Sequence, residues 1–326
     1  MKKLKKNKQL KIFKYRRYKL TNKKIMIDKL YKNLCRICEA KCNQDLKKYC
    51  TIKIGGVGKY ICFPKSIRQV KKLVTFLNCY KIKYYIIGNG SNIVFEDTGY
   101  SGVLISLKKL NKIYASSTKL FAYAGANLFA LNNFCSKNSL CGLEFSYGIP
   151  ASVGGAVFMN AGAFGKEMSD VIEFVWVLLG GRVKKLFKNQ LGFGYRHSEF
   201  MKNGKYNNAV ILKACFKLKK GVEKDIQLLQ KQIFAKRMQA QPYGTLNCGS
   251  VFKKVQNDGA GKIIDKMGLK GVTIGDIQIS PKHANFFVNL KSATSADLHQ
   301  MVNKVKEQAL KSMGINLQEE IIFVGD

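Results

Sequence analysis

Acidic residues, proline and tryptophan are scarce in this chain of 326 residues. Only four residues are proline and one is tryptophan, and 20 Asp and Glu stand against 57 Lys and Arg, which leaves a formal net charge of +37. The lysines are spread along the whole chain beside many isoleucines, asparagines and tyrosines, a bias typical of an AT-rich genome. Net charge indicates which partners a protein attracts and says nothing of its fold, so a nucleic-acid-binding surface remains an alternative. The hydrophobic content of 46% excludes a disordered chain.

An apolar segment of signal-peptide length is missing after the basic N-terminal run at residues 1–24. Secretion is therefore not expected, and the ten cysteines are predicted to be free thiols in a reducing, cytoplasmic compartment. The run itself predicts a solvated basic extension over residues 1–26, with docking to anionic lipid or RNA as the alternative.

A standard metal-binding pattern is also missing. Cys35, Cys38, Cys42 and Cys50 follow one another at spacings of three, four and eight, and no second CxxC pair is present. This spacing favours small buried thiols at the end of an amphipathic helix, and we predict no metal ion. A zinc or iron–sulfur site is the open alternative.

Charged residues are absent from residues 145–165, FSYGIPASVGGAVFMNAGAFG. The run is close to the roughly 20 residues that span a bilayer, but its proline, serines, asparagine and glycines are poor lipid-facing residues. Glycine lacks the Cβ atom that would block a close approach. The run therefore predicts main chain brought close to a bound molecule and not a membrane span.

Periodicity and capping signals predict an α+β chain. Ser66 and Gln69 mark a helix start with a capping box, and a last long helix is expected to stop at Gly314. Pro242 and Gly244 break the chain between these regions. The expected parts are the basic extension at residues 1–26, a first lobe at 27–110, a second lobe at 111–224 and a C-terminal domain at 225–326.

The stretch GNGSN at residues 88–92 lies between two short apolar strands. Successive main-chain N–H groups in such a turn form a concave anion site, and Ser91 and Asn92 add donors without adding charge. No third glycine completes a GxGxxG and no GK[ST] follows, so a dinucleotide fingerprint and a P-loop are both excluded. We predict that the stretch binds a diphosphate, with an ordinary glycine turn as the alternative.

Six segments of the chain resemble the UDP-N-acetylenolpyruvoylglucosamine reductases. They are TIKIGG at residues 51–56, IIGNGSNIV at 86–94, GIPASVGGAVFMNAGAFG at 148–165, GFGYRHSEF at 192–200, NCGSVFK at 247–253 and AGKIIDKMGLKGVTIGDIQISPKHANFFVN at 260–289. The resemblance covers about residues 45–324 and is closest to the shorter subclass of the family. It implies a two-lobed FAD-binding domain of the vanillyl-alcohol-oxidase/PCMH type, followed by an α/β substrate-binding domain.

The resemblance also implies a flavoenzyme of peptidoglycan precursor synthesis. In this family NADPH reduces FAD, and the hydride then passes to the enolpyruvyl ether of UDP-N-acetylglucosamine to give UDP-N-acetylmuramate. The implied cofactor is FAD with NADPH as co-substrate, and the implied partner is this UDP-sugar, with no obligate nucleic acid, no transmembrane segment and a monomeric protein. The residues implied to line the FAD are Gly88, Asn89, Gly90, Ser91, Asn92, Gly148, Ile149, Pro150, Ser152, Gly154, Gly155, Asn160 and Ala161.

Three positions match the catalytic groups of the family. Arg196 in GYRHS and a protonated Glu320 in QEEII are implied to polarise the substrate carboxylate, and Ser250 in CGSVF to donate the proton. The reaction needs such groups, because hydride addition pushes charge toward the carboxylate and leaves a basic carbon. The family motif favours Glu320 over its neighbour Glu319. Without the resemblance, the sequence favours a surface cation for Arg196, a turn residue for Ser250 and a solvated strand end for Glu320.

Lys254 and Val255 stand where the family usually has Asn-Pro, which puts substrate contacts at this position in doubt.

Two other functions stay open at this point. A FAD-dependent oxidase or dehydrogenase of a small hydroxylated substrate is the first alternative, since the glycine-rich segments alone fit it. A basic nucleic-acid-binding protein on a degenerate flavin fold is the second.

Overall fold

The structure, a computed structural model, describes residues 29–255 and 258–326. The predicted extension at residues 1–26 lies outside the described residues. The described chain forms two lobes, each built on a sheet, and a C-terminal part with a third sheet. The predicted α+β class is confirmed.

The first lobe is a four-stranded sheet with two helices packed on one face. Its elements are α1 (residues 29–37), β1 (Glu39–Asp45), β2 (Val57–Phe63), α2 (Ile67–Cys79), β3 (Tyr84–Ile87), β4 (Ile93–Phe95) and β5 (Tyr100–Ser106), with the sheet order β1-β2-β5-β3. Helix α2 begins as predicted at Ser66, whose hydroxyl accepts the Gln69 N–H. The Gln69 side chain accepts from Lys65 and not from Ser66, so the predicted capping box is formed only in part.

The second lobe is a five-stranded antiparallel sheet covered by helices on its inner face. Its elements are β6 (Ile113–Ser116), β7 (Lys119–Tyr123), α3 (Leu128–Lys137), β8 (Leu140–Cys141), α4 (Val153–Phe158), β9 (Gly162–Ala163), β10 (Lys166–Glu167), α5 (Met168–Val171), β11 (Ile172–Leu179), β12 (Arg182–Phe187), β13 (Val210–Lys217) and β14 (Lys219–Lys220). The sheet order is β12-β11-β13-β7-β6. The uncharged run of the sequence supplies α4, β9 and the turn that leads to β10.

The C-terminal part alternates helices and short strands. Its elements are α6 (Glu223–Ala240), β15 (Asn247–Ser250), α7 (Ala260–Lys266), β16 (Thr273–Ile274), β17 (Ile277–Ile279), β18 (Phe286–Asn289), α8 (Ser295–Met313) and β19 (Ile322–Val324), with the sheet order β15-β18-β17-β16. Helix α8 starts with a capping box between Thr294 and Asp297 and ends at Gly314 in the left-handed region, as predicted.

The sheet of the first lobe separates two hydrophobic cores. Along β2, Tyr60 and Cys62 pack into the core shared with the second lobe, whereas Ile61 and Phe63 pack into the core shared with the C-terminal part. This alternation is the two-residue period of a strand that is buried on both faces. The last strand, β19, also pairs in parallel with β4 of the first lobe. The C-terminal part is therefore packed against the first lobe through both side chains and main chain.

Helix α6 packs on the second lobe. The Gln230 side chain donates to the Asn132 carbonyl oxygen at 3.0 Å, and Arg237 Nε donates to the Tyr147 carbonyl oxygen at 3.3 Å. The predicted domain boundary at residue 225 falls inside this helix.

Three further observations concern the cysteines, the possible metal ligands and the helices. All ten cysteines are free thiols, with Cys38 and Cys50 buried and Cys35 exposed near the end of α1. Across residues 29–255 and 258–326, no three His, Cys, Asp or Glu side chains are grouped to hold a metal ion. No helix in these two ranges has both the length and the apolar character that crossing a bilayer requires.

Candidate active site

The two neutral glycine-rich segments lie against each other. A Cβ atom on Gly88 would come within 2.6 Å of the Ser152 hydroxyl oxygen and 3.9 Å of the Gly155 Cα. The Asn89 side-chain amide donates to the Pro150 carbonyl oxygen at 3.4 Å, across 61 positions of sequence. The loop at residues 88–92 and the segment at 148–161 therefore form two walls of one site.

The loop at residues 88–92 presents unpaired main-chain donors. None of its N–H groups donates a hydrogen bond to another residue of the described part of the chain. Gly88 and Asn89 are exposed, and Ser91 and Asn92 are partly exposed. Adjacent unpaired N–H groups in a turn favour an anion, and a diphosphate is one that fits.

Gly90 is an exception within this loop. Its φ is +72°, and a Cβ atom there would lie 2.1 Å from the Tyr49 carbonyl oxygen. The Gly90 carbonyl oxygen accepts the Thr51 N–H at 3.0 Å. The missing side chain of Gly90 therefore makes room for the neighbouring main chain, and its contact with the cofactor through the main chain stays a prediction.

Two glycines of the second segment are also required by packing inside the protein. Gly148 has a φ of +83°, and a Cβ atom there would lie 2.9 Å from the Phe234 ring. A Cβ atom on Gly154 would lie 3.0 Å from the Ala124 Cβ. Both contacts are tighter than ordinary packing, so Gly148 lets the loop before α4 approach α6, and Gly154 lets α4 approach the residue that follows β7.

Gly155 borders open space. A Cβ atom there would meet only the Ser152 hydroxyl oxygen, at 3.4 Å. Ser152 itself is 2% exposed, and its hydroxyl accepts the Gly155 N–H. An uncharged space beside Gly88 and Gly155, with unpaired N–H groups at one wall, fits the flat ring system and the diphosphate of FAD.

Asn160 does not share this accessibility. Ile149, Pro150 and Ala161 keep exposed surface, whereas Asn160 is 0% exposed and its amide is hydrogen-bonded inside the protein. The predicted cofactor contact by Asn160 is therefore corrected, because a residue without accessible surface cannot touch a ligand.

Arg196 and Glu320 form an ion pair next to this site. Arg196 Nε donates to Glu320 Oε1 at 2.7 Å, and Arg196 Nη2 donates to the Gly162 carbonyl oxygen at 2.9 Å. The side chains of the pair are only 19% and 11% exposed. Arg196 Nη1 has no acceptor among the residues that the structure describes, so it remains available to a substrate carboxylate.

Burial changes the acidity of Glu320. Desolvation raises the pKa of this carboxyl, and the charges of Arg196 and Lys253 reduce the rise without cancelling it. Glu320 therefore stays protonated to a higher pH than an ordinary glutamate, although it faces an arginine.

Main-chain contacts bring Ser250 to the same place. The Glu320 N–H donates to the Val251 carbonyl oxygen at 2.7 Å, and the Asn92 side-chain amide donates to the Glu320 carbonyl oxygen at 2.9 Å. Ser250 directly precedes Val251, is half-buried, and its hydroxyl has no partner within the two described ranges. The structure thus gathers the three predicted catalytic residues and connects them to the glycine-rich loop.

Three supporting residues were not predicted as part of the site. The Lys254 N–H donates to the Tyr195 hydroxyl at 3.2 Å, and the Lys254 ammonium lies 4.6 Å from the centre of the Tyr195 ring. Asn285 is buried and bonds both the N–H and the carbonyl oxygen of Phe252. Lys254 stands out in sequence only as a departure from the family pattern, and no local pattern marks the contacts of these residues, because their partners lie far away in sequence.

Two family models match the chain. The model described as FAD binding domain matches residues 58–185. The model described as UDP-N-acetylenolpyruvoylglucosamine reductase, C-terminal domain, matches residues 241–324. The first match covers most of the first lobe and part of the second, and the second match covers the part that follows α6.

Similar proteins extend over nearly the same length. A UDP-N-acetylenolpyruvoylglucosamine reductase of Lactiplantibacillus plantarum is 41% identical over 88% of this chain and 94% of its own length. The one of Clostridium novyi is 38% identical over 88% of this chain and 93% of its own length. The crystal structure of the reductase from Thermus caldophilus has a TM-score of 0.74 and 31% identity, and the match covers 87% of this chain and 98% of that one. The expected two-lobed FAD-binding fold is confirmed, and the chain belongs to the family of UDP-N-acetylenolpyruvoylglucosamine reductases.

Proposed function

We propose that this protein uses FAD and NADPH to reduce the enolpyruvyl ether of UDP-N-acetylglucosamine to UDP-N-acetylmuramate, with Arg196, Ser250 and Glu320 as the catalytic side chains. The observation that carries these roles is the half-buried Arg196–Glu320 ion pair, held beside Ser250 and tied to the glycine-rich loop. The match of the C-terminal part favours this reaction over an oxidase of a small alcohol or a nucleic-acid-binding protein.

A bound FAD would supply the transfer of a hydride from NADPH to the enolpyruvyl double bond. Residues 88–92 would hold its diphosphate through their N–H groups, and Gly155 would leave room for it. The absence of charged side chains from both walls keeps the environment of the cofactor neutral.

Arg196 meets the negative charge that develops on the substrate. Its Nε and Nη2 atoms are held by Glu320 and Gly162, which fixes the plane of the guanidinium. A donor fixed in advance in a half-buried site stabilises the forming charge without first having to reorganise. Nη1 is the atom proposed to face the substrate carboxylate.

Ser250 supplies the proton. Hydride addition at the terminal carbon leaves the neighbouring carbon strongly basic, so a hydroxyl is acidic enough to protonate it. The Ser250 hydroxyl is half-buried and bonded to no other described residue, so it is available for this step.

Glu320 acts in its protonated form, in which Oε1 still accepts from Arg196 Nε and the ion pair becomes a charge-assisted hydrogen bond. Its raised pKa favours an acid that donates a hydrogen bond to the substrate carboxylate. The two groups therefore stabilise the same charge from two directions, one as a cation and the other as a neutral donor.

The domain boundaries, the oligomeric state and the cellular location of the enzyme are also proposals. The contacts of α6 favour ending the second lobe at the end of this helix, Ala240, and starting the substrate domain at about residue 241. We propose a monomer, because one chain supplies every group of the site. The free state of all ten cysteines agrees with a cytoplasmic enzyme.

The test follows the flavin absorbance of the purified protein without oxygen. NADPH should bleach the flavin, and the UDP-sugar enolpyruvate should then restore the colour and yield UDP-N-acetylmuramate. Bleaching that this substrate fails to reverse would refute the proposed reaction. Bleaching by a small alcohol in place of NADPH would support the oxidase.

A further inference from the structure

The turn that carries Arg196 is tight and strained. Gly194 and His197 exchange both main-chain hydrogen bonds, at 3.2 and 3.1 Å. Arg196 lies between them with a φ of +50°, in the left-handed region that residues with a Cβ atom rarely adopt. Such a conformation persists only where surrounding contacts hold it.

Those contacts come from one stretch of the uncharged run, residues 158–162. The Ser198 hydroxyl donates to the Phe158 carbonyl oxygen at 2.6 Å, and the Asn160 amide donates to the Gly194 carbonyl oxygen at 2.9 Å. Arg196 itself donates to the Gly162 carbonyl oxygen. The turn is therefore bonded at its start, its middle and its end to the segment that borders the cofactor site.

Asn160 is the centre of this arrangement. Its Nδ2 atom donates to Gly194 and to Glu167 Oε1, the latter at 2.7 Å, and its Oδ1 atom accepts the Ser169 N–H at 2.9 Å. The Ser169 hydroxyl also donates to Glu167 Oε1. Because Glu167 and Gly194 present only acceptors, the amide is held in one orientation, with its nitrogen toward the turn.

We propose that Asn160 is a positioning residue: it holds the strained turn so that the Arg196 guanidinium faces Glu320 and the substrate. The proposal rests on the proposed function, since it concerns how that function orients its cation. Asn160 touches neither cofactor nor substrate and acts only through the Gly194 carbonyl. It thereby couples the segment beside the flavin to the group that binds the substrate carboxylate.

The test uses the FAD-loaded enzyme and two variants, Asn160→Ala and Glu167→Ala. Reduction of the flavin by NADPH should keep its wild-type rate. Reoxidation by the UDP-sugar enolpyruvate should slow by about 10²-fold, the size of effect that a misplacement of about 1 Å produces. Glu167→Gln keeps an acceptor for Asn160 and should restore most of the rate.

A second measurement does not depend on activity. Hydrogen exchange of the peptide covering residues 192–200 should become faster in Asn160→Ala, because the Gly194 and His197 amides lose their support. Asn289→Ala is the matched control, since Asn289 is 3% exposed and also makes three hydrogen bonds, to Ile52, Lys291 and Ala293. The control should leave exchange in this peptide unchanged.

Two outcomes would overturn the proposal. One is unchanged exchange at residues 192–200 in both Asn160→Ala and Glu167→Ala. The other is reoxidation that slows no more than in Asn289→Ala. If Asn160→Ala does not fold, Glu167→Ala and its Gln counterpart decide the question. A wild-type enzyme that fails to reoxidise with the substrate would refute the proposed function, and the exchange result would still judge the role of Asn160.

Discussion

The proposed cofactor side and the proposed reaction side of this site are built by opposite means. The cofactor side consists of residues 88–92 and 148–161, which carry no charged side chain and approach each other at Gly88 and Ser152. The reaction side centres on Arg196 and Glu320, which lie 124 positions apart in sequence. The cofactor side leaves room for a ligand because its residues lack large or charged side chains. The reaction side depends on two charged side chains whose positions are fixed by hydrogen bonds.

This contrast predicts which property each substitution will change. A bulky side chain on the cofactor side fills space and lowers the affinity for FAD. Removal of a polar group from the reaction side leaves FAD bound but removes stabilisation of the charge that forms during the reaction. Variants from the two sides should therefore separate flavin occupancy from substrate reduction.

The largest effect is expected at Ser250. In Ser250→Ala, reoxidation of the flavin by the enolpyruvyl substrate should slow by about 10²–10⁴-fold, the usual value of general acid catalysis. Flavin content and reduction by NADPH should stay as in the wild type, because neither needs this proton. Stopped-flow absorbance measures both half-reactions. Ser250→Cys should recover part of the rate, since a thiol also donates a proton. Slower reduction with unchanged reoxidation would show that Ser250 acts in the reduction of the flavin and not in the proposed protonation of the substrate.

The next effect tests the cofactor side at Gly155. Gly155→Leu should weaken FAD binding by roughly 10- to 100-fold, which corresponds to overpacking of about 1–3 kcal/mol. The helix itself should form, because leucine has a higher helix propensity than glycine. Gly155→Ala is the control, because its Cβ fits beside Ser152, and it should keep its FAD. Equilibrium dialysis of FAD measures both variants, and unchanged affinity in Gly155→Leu would show that the space beside Gly155 does not hold the cofactor.

A smaller effect concerns the pH dependence of the reaction side. Wild-type reoxidation should fall as the pH rises through the raised pKa of Glu320, because only the acid donates a hydrogen bond. Glu320→Gln keeps a neutral donor, so its rate should be flat through this range. Its rate at low pH should be lower by at most roughly tenfold, since an amide N–H is a weaker donor than a carboxylic acid and the whole hydrogen bond to a charged group contributes only about 1.5–3 kcal/mol. A falling limb that persists in Glu320→Gln would assign the titration to another group.

The same pKa shift links Glu320 to stability. The folded pKa lies above the unfolded one, so protonation of Glu320 favours the folded state at low pH, and this contribution is lost as the pH rises through the folded pKa. Urea midpoints measured across this range should therefore decline with pH less in Glu320→Gln than in the wild type.

The smallest effect is expected outside both sides of the site. Deletion of residues 1–24 removes a basic run that precedes, in sequence, every segment that forms the site. The kcat and KM of the truncated enzyme should equal those of the full chain. A large loss of turnover would show that this run serves catalysis or substrate capture.

Local patterns predicted the elements around the site because their causes are local. The helix start at Ser66, the helix end at Gly314 and the glycine-rich loop after β3 all depend on residues within a few positions of each other. Capping and turn formation involve only such neighbours. The contribution of Gln69 to the cap of α2 is the exception, since its side-chain oxygen accepts the N–H of Lys65 and not that of Ser66.

The roles of individual residues within those elements could not be predicted in the same way. Gly90 and Asn160 lie in segments that the sequence assigns to the cofactor, yet one packs against Tyr49 and the other bonds to Gly194. A glycine looks the same in sequence whether its open side faces a ligand or the protein. Only the arrangement of distant segments distinguishes the two cases.

The sequence by itself determined the class of fold, the two uncharged segments and, through its resemblance to the reductases, the identity of Arg196, Ser250 and Glu320 as candidates. The tertiary structure decided that Arg196 and Glu320 meet, that Glu320 is buried enough to have a raised pKa, and that Asn160 is hydrogen-bonded to the turn that carries Arg196. The physical reason is the range of the interactions. Capping, turns and periodicity act between neighbours in the chain, whereas ion pairing and desolvation depend on which distant segments the packed cores bring together.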